Sequence, residues 1–182
     1  MLKRAGVNHM LRAAAAIAEH DRFVLIGSGS AIATQKNLPL DMMLTSEIDI
    51  YADGVTEPES LSELLAAVIG RDSMFHRTFH YYVDGVSPTT ATLPDGWRDR
   101  LIPYTTPEAP GVTALCLEIH DLAVAKLCAG REKDIVWLRA GLNAGLVKRA
   151  ILAERLDRLT DPRAPNRATL DSRIAAATVK GA

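Results

Sequence analysis

The sequence predicts a mixed α/β fold: a mixed sheet flanked by helices, with a C-terminal helical bundle. Three observations predict it. Short β-rich runs such as "RFVLIG", "SEIDIYA" and "VTALCLEI" recur between Arg22 and Ile119, separated by helical patterns. From His120 onward only helical periodicity remains. The 182 residues carry no repeat, low-complexity tract or long linker, and suffice for one domain with a sizeable core, or for a core plus a helical appendage. The expected division is 1–118 for the sheet core and 119–182 for the helical segment packed on it.

Each element follows from its pattern. Val7, Leu11, Ala14 and Ile17 fall at helical spacing and predict a helix over about 6–20. "RFVLIG" predicts a buried strand stopped by Gly27. Residues 31–44 read as a connection with a helical turn before Pro39. "SEIDIYA" predicts a second strand, with Glu47, Asp49 and Tyr51 on one face and Ile48 and Ile50 on the other. "PESLSELLAAVIGRD" predicts a helix that opens on a Ser60–Glu63 capping box and stops at Gly70. "MFHRTFHYYVDGV" reads as one long strand or a bent pair, with a turn at Asp84–Gly85. His76 and His80 then share a strand face, far apart and without an HExxH pattern.

"TATLPDGWRDRLIPYT" predicts short strands around a Pro94-Asp95-Gly96 turn, and "VTALCLEI" a further strand or a strand running into a helix. Helices follow at "HDLAVAKLCAG", "EKDIVWLRAGLNAG" and "VKRAILAERLDRL". Asp161-Pro162 breaks the pattern, and "NRATLDSRIAAAT" predicts a last helix under an Asn cap. The tail after Thr178 is expected to be loose.

Composition narrows the function. Hydrophobic residues are 48% and charged residues 24%, as in ordinary soluble globular proteins. A net charge of −1 excludes a global basic field for nucleic-acid capture, so any such contact is a local patch. Cys116 and Cys128 lack metal-type spacing and read as buried free thiols of a reducing compartment. The N-terminal alanine run is interrupted by Arg12 and reads as a helix rather than a signal peptide. No segment is long and apolar enough to span a membrane, so a cytoplasmic location and no membrane partner are expected. No serine has a triad partner and no P-loop is present; Trp97 and Trp137 read as core or interface residues.

The chemistry concentrates in two short stretches. Glu47 and Asp49 stand on one strand face roughly 6.5 to 7 Å apart. Two carboxylates so placed repel unless a cation lies between them. Mg²⁺ (or Mn²⁺) fits, because it takes oxygen ligands from one or two carboxylates plus substrate phosphates. Upstream, Gly27 and Gly29 allow close backbone approach, and Ser28 and Ser30 add hydroxyls to an anion nest. A helix starting after Ser30 would add its positive end. Taken singly, a Gly-Ser turn is usually just a turn, and an acid pair a solvated strand face. The order strand, Gly-Ser turn, connection, acid-x-acid strand raises their joint weight.

At these residues "LIGSGSA" followed by "TSEIDIY" resembles the nucleotidyltransferase superfamily, whose signature is a Gly-Ser turn followed by an Asp-x-Asp strand. "HDLAVAKLCAGREKDIVWLRAGLNAGLV" looks like the helical segment of small bacterial nucleotidyltransferase-like proteins, including relatives of the AbiE-type toxins. The likeness runs roughly from Phe23 to Val147. It implies that Gly27 and Ser28 hold a triphosphate and that Glu47 and Asp49 bind metal. It also implies a third carboxylate on a later strand. Asp84 is the candidate, against the reading of an Asp-Gly turn.

From the second motif come Lys126, Arg131, Lys133 and Asp134. Lys126 and Lys133 share a helix face if Gly130 does not interrupt it. Lys126 would neutralise the β- and γ-phosphates, and Arg131 would grip phosphate at two points. Cations near a helix end also complement its dipole without any ligand. Asp121 reads as a helix cap, and His120 as structural or a proton carrier.

The chain departs from the pattern in three ways. Glutamate stands where the first aspartate is usual, the Ser28–Glu47 spacing is long, and the third acid is not obvious. The expected function, from the resemblance, is a metal-dependent nucleotidyltransferase moving an NMP group from an NTP to RNA, protein or a small molecule. A toxin-like role follows by analogy. The alternative is a catalytically degenerate member of the fold that binds or regulates, and the plainest reading is acids without special function. A homodimer through the apolar helical end, or an antitoxin, is the expected protein partner.

Overall fold

The computed structural model describes residues 1–178, so the expected loose tail lies outside the described residues. Five strands form one mixed sheet in the order β3-β2-β1-β5-β4. Strand β1 (Arg22–Leu25) runs antiparallel to β2 (Glu47–Ala52) and parallel to β5 (Ala109–Cys116). β2 is parallel to β3 (Tyr82–Gly85), and β4 (Ile102–Thr106) is antiparallel to β5. Phe23, Val24 and Leu25 are all fully buried, as a central strand covered on both faces requires.

The period-two alternation sorts the sheet into two cores. On one face Phe23, Leu25, Ile48, Ile50 and Val83 pack against Val7, Met10 and Leu11 of α1 (Arg4–Ala18) and Leu65 of α3 (Pro58–Ile69). On the other, Val24, Tyr51 and Leu115 meet Leu122, Leu127, Trp137, Leu138, Leu152 and Leu170. Those come from α5 (Ile119–Ala129), α6 (Glu132–Asn143), α7 (Arg149–Asp157) and α8 (Arg167–Thr178). The C-terminal helices are thus the second cover of the sheet. Asn166 Oδ1 accepts from Thr169 N–H at 2.9 Å, the expected cap of α8.

Several local expectations are overturned. Residues 74–80 are not strand: α4 (Met74–Phe79) is a helix. Ser73 Oγ caps it by accepting from His76 N–H, and His80 ends it in the left-handed region at φ 60°. The aromatic residues that suggested a strand instead cluster with His9: Phe75, Phe79 and Tyr81 lie with ring centroids 4.6 to 5.9 Å from its imidazole. His76 and His80 therefore share no strand face. Asp84–Gly85 is no turn either, because both residues lie within β3. A Cβ on Gly85 would stand 2.1 Å from Ser62 O, so the glycine serves close packing of α3.

The start of α3 also differs. Glu57 is the N-cap and Pro58 the first helical residue, which needs no N–H partner. Ser60 and Glu63 sit inside the helix and form no capping box. Around the Pro94–Gly96 turn only β4 is a strand; Trp97–Arg100 is a 3₁₀ turn. The connection after β1 is largely helical. Helix α2 (Ser28–Thr34) begins inside the Gly-Ser run, and a 3₁₀ turn, Leu40–Met43, follows Pro39.

Asp121 is not a cap. Glu118 accepts from His120 N–H at the start of α5. Asp121 is fully buried and paired with Arg100 (2.8 Å) and Arg155 (3.2 Å), tying the 3₁₀ turn to α5 and α7. His120 is structural: its Nδ1 lies 2.7 Å from Glu118 Oε1, and its Nε2 accepts from Lys148 N–H at 2.9 Å. The two thiols are free, and burial pushes Cys116 up to about 12 and Cys128 up to about 11. Neither is an activated nucleophile.

Candidate active site

Strand β1 ends at Leu25, and the chain turns through Gly27 into α2 beside the start of β2. Ile26 N–H donates to Asp49 O at 3.1 Å, which locks the turn to the acid strand. The contact is close enough to demand glycine. A Cβ on Gly27 would lie 1.6 Å from Asp49 Oδ2, so the carboxylate occupies the space a side chain would fill. Gly29 has a parallel reason, since its Cβ would stand 2.8 Å from Ile48 Cγ2. Alternation then aims Glu47 and Asp49 toward the C-terminal helices, away from the isoleucines.

Between the sheet and those helices lies a cavity of about 560 Å³. Gly27, Ser28, Glu47 and Asp49 line one wall, and Lys126, Arg131 and Lys133 another. Met42, Leu44, Leu122, Val136 and Trp137 supply an apolar remainder. Gly130 ends α5 in the left-handed region at φ 62°, and α6 begins two residues later. The interruption does not separate the cations, because the turn returns Arg131 and Lys133 to the cavity that Lys126 faces.

Two expected residues stand apart. Ser30 is fully buried and donates its hydroxyl to Leu25 O at 2.7 Å, so it faces the fold and not the cavity. Asp84 is not among the residues that line the cavity; it stands directly opposite Asp49 in the parallel register. Tyr82 is opposite Glu47 in the same way. Three acids and one phenol therefore form a block on a single sheet face.

The electrostatics of the block are unequal. Burial works against charge on Glu47, but the Tyr82 hydroxyl, Lys133 and Arg71 outweigh it and hold the carboxyl below the usual range. Lys133 Nζ lies 3.5 Å from Oε1, and Arg71 Nη2 lies 3.5 Å from Oε2. Tyr82 donates to Oε2 and accepts from Arg71. Asp49 is pushed up to about 6 by burial and by the charges of Glu47 and Asp84, which Lys126 and Lys133 offset only in part. Burial and Glu47 also raise Asp84, against Arg71.

The opposite wall is organised by Asp134, whose side chain is fully buried. Its carboxylate accepts from Lys126 Nζ at 3.2 Å and from Arg131 Nε at 2.7 Å. Burial lowers the Lys126 ammonium, while Asp134 and Asp49 support its charge. Lys126 also lies 5.2 Å from the Trp137 ring centroid.

Sequence reasoning missed Arg71 and Tyr82 and assigned Asp134 no role. The period-two step from Tyr82 to Asp84 is a signal for the phenol, once β3 is known to be a strand. Nothing local marks Arg71.

Glu47, Asp49 and Asp84 offer only carboxylate oxygens, the hard donors that Mg²⁺ or Mn²⁺ prefers. No group of three His, Cys, Asp or Glu among the described residues is arranged to hold a metal by itself. The excess of negative charge that raises Asp49 is what a cation would relieve.

Comparison with known proteins identifies the family. No curated protein and no solved structure matches the chain. The family described as "Nucleotidyltransferase of unknown function (DUF6036)" matches residues 7–173, from α1 through most of α8. With the whole sheet and all or most of every helix that covers it inside that match, the chain belongs to this nucleotidyltransferase family.

Proposed function

We propose that the protein transfers a nucleoside monophosphate from an NTP to an acceptor hydroxyl in a metal-dependent reaction. One observation carries the proposal: the Asp49 carboxylate rests against Gly27, and Lys126, Arg131 and Lys133 face the same cavity. Its volume, about 560 Å³, is in the range of small-molecule sites, and its apolar lining suits a base and ribose.

Glu47 and Asp49 would hold Mg²⁺ or Mn²⁺, which when bound polarises the α-phosphate and neutralises charge on the departing pyrophosphate. The chain supplies the rest. Gly27 and Ser28 line the cavity and would meet phosphate oxygens through the Ser28 hydroxyl and backbone N–H, whereas Ser30 N–H is already taken by Gly27 O at 3.0 Å. Lys126, Arg131 and Lys133 bind the β- and γ-phosphates, and Asp134 keeps the first two charged and aimed. The acceptor oxygen bonds to the α-phosphorus while the bond from that phosphorus to the α,β-bridging oxygen breaks. Asp84, made more basic than an ordinary aspartate by burial and Glu47, takes the hydroxyl proton, and pyrophosphate leaves.

A binding or regulatory role is favoured by one observation. Glu47 is already neutralised by Arg71, Lys133 and the Tyr82 hydroxyl. One experiment separates the two. The protein is incubated with each α-labelled NTP, Mg²⁺ or Mn²⁺, and RNA, protein or small-molecule acceptors. Label transfer that disappears in Glu47→Ala and Asp49→Ala is the expected result. Nucleotide-dependent stabilisation of the wild type without transfer would replace the transferase reading by the binding one.

A further inference from the structure

We infer that Tyr82, backed by Arg71, is a positioning residue that fixes the long carboxylate at position 47 for cation binding. The inference rests on the transferase reading and adds to it how a glutamate serves there. A glutamate has one more rotatable bond than an aspartate, so its carboxylate sweeps a wider volume unless something holds it. Sites of this kind lose function on displacements of about 1 Å.

The holding group is in place. Tyr82 and Glu47 are in-register neighbours on β3 and β2, strands that in a sheet lie about 4.8 Å apart. Tyr82 is only 2% exposed, so its ring has little freedom, and its hydroxyl donates to Glu47 Oε2. Arg71 donates to the phenol oxygen, and its guanidinium carbon lies 4.8 Å from the ring centroid. Oε2 is thus occupied from the β3 side. Oε1 is left with Lys133, a side chain 57% exposed and 3.5 Å away, which can turn to a phosphate when one arrives. The hydroxyl holds Oε2 and leaves Oε1 on the side of Lys133, a residue that lines the same cavity as Asp49.

The test is Mn²⁺ binding, read by electron paramagnetic resonance with a non-hydrolysable nucleoside triphosphate present. Tyr82→Phe keeps the ring and removes only the hydroxyl. Loss of a hydrogen bond to a charged group predicts roughly tenfold weaker Mn²⁺ binding. In a Glu47→Asp background the carboxylate is drawn back from the phenol, and adding Tyr82→Phe should change binding by less than about twofold. Unchanged binding in Tyr82→Phe overturns the inference, and so does an equal loss in both backgrounds. If Tyr82→Phe does not fold, Arg71→Gln replaces it. Arg71 has a side chain 68% exposed, and its loss should cost about threefold in Mn²⁺ affinity; an unchanged affinity overturns the inference. Failure of the transferase reading looks different: the wild type then holds no Mn²⁺ with nucleotide, or holds it equally well after Asp49→Asn, and the inference falls with it.

Discussion

Asp49→Asn is expected to make the metal-free protein more stable near pH 7.5 and no more stable near pH 4. Burial and the charges of Glu47 and Asp84 raise the Asp49 carboxyl from 3.8 to about 6 in the folded chain. The folded state therefore binds more protons than the unfolded state between these values. Stability falls as pH rises through that window and is flat above it. A rise of about two pH units corresponds to about 3 kcal/mol. Asp49 lines a cavity open to solvent, so a gain of about 1–2 kcal/mol is expected. Asparagine has nearly the same shape and no charge, and at pH 4 the wild-type side chain is already protonated. Urea denaturation of both proteins in chelator at the two pH values measures the difference. A variant less stable than wild type at pH 7.5, or a difference equal at both pH values, would refute the reasoning. The same substitution should abolish label transfer, so stability and activity move in opposite directions.

Two further substitutions probe the frame of the site. Gly27→Ala places a Cβ 1.6 Å from Asp49 Oδ2 and should cost about 1–3 kcal/mol while abolishing the nucleotide-dependent rise in melting temperature. Most of that stability cost should vanish in an Asp49→Ala background, as a double-mutant cycle would read out. Asp121→Ala leaves Arg100 and Arg155 without their shared counter-charge and should destabilise by about 3–5 kcal/mol in chemical denaturation.

Where a pattern is local, it was legible. The alternation in "SEIDIYA" separates Glu47, Asp49 and Tyr51 from Ile48 and Ile50, and the two cores divide along that line. The Gly-Ser turn, the stop at Gly130 and the Asn166 cap likewise depend on neighbours a few residues apart. Propensity failed where capping outweighed it: the aromatic run at 74–80 is helical because Ser73 and His80 close its ends.

The amino-acid sequence by itself determined the sheet-forming runs, the helical covers, the acid pair and the turn that precedes it, because periodicity and backbone freedom are properties of short segments. Only the tertiary structure decided that Gly27 is small to admit Asp49, that Ser30 turns inward, and that Asp84 stands opposite Asp49. It alone brought Arg71, Tyr82 and Lys133 to Glu47 across 24, 35 and 86 residues. Such meetings are set by the path of the chain between strands, and no pattern of neighbouring residues encodes that path.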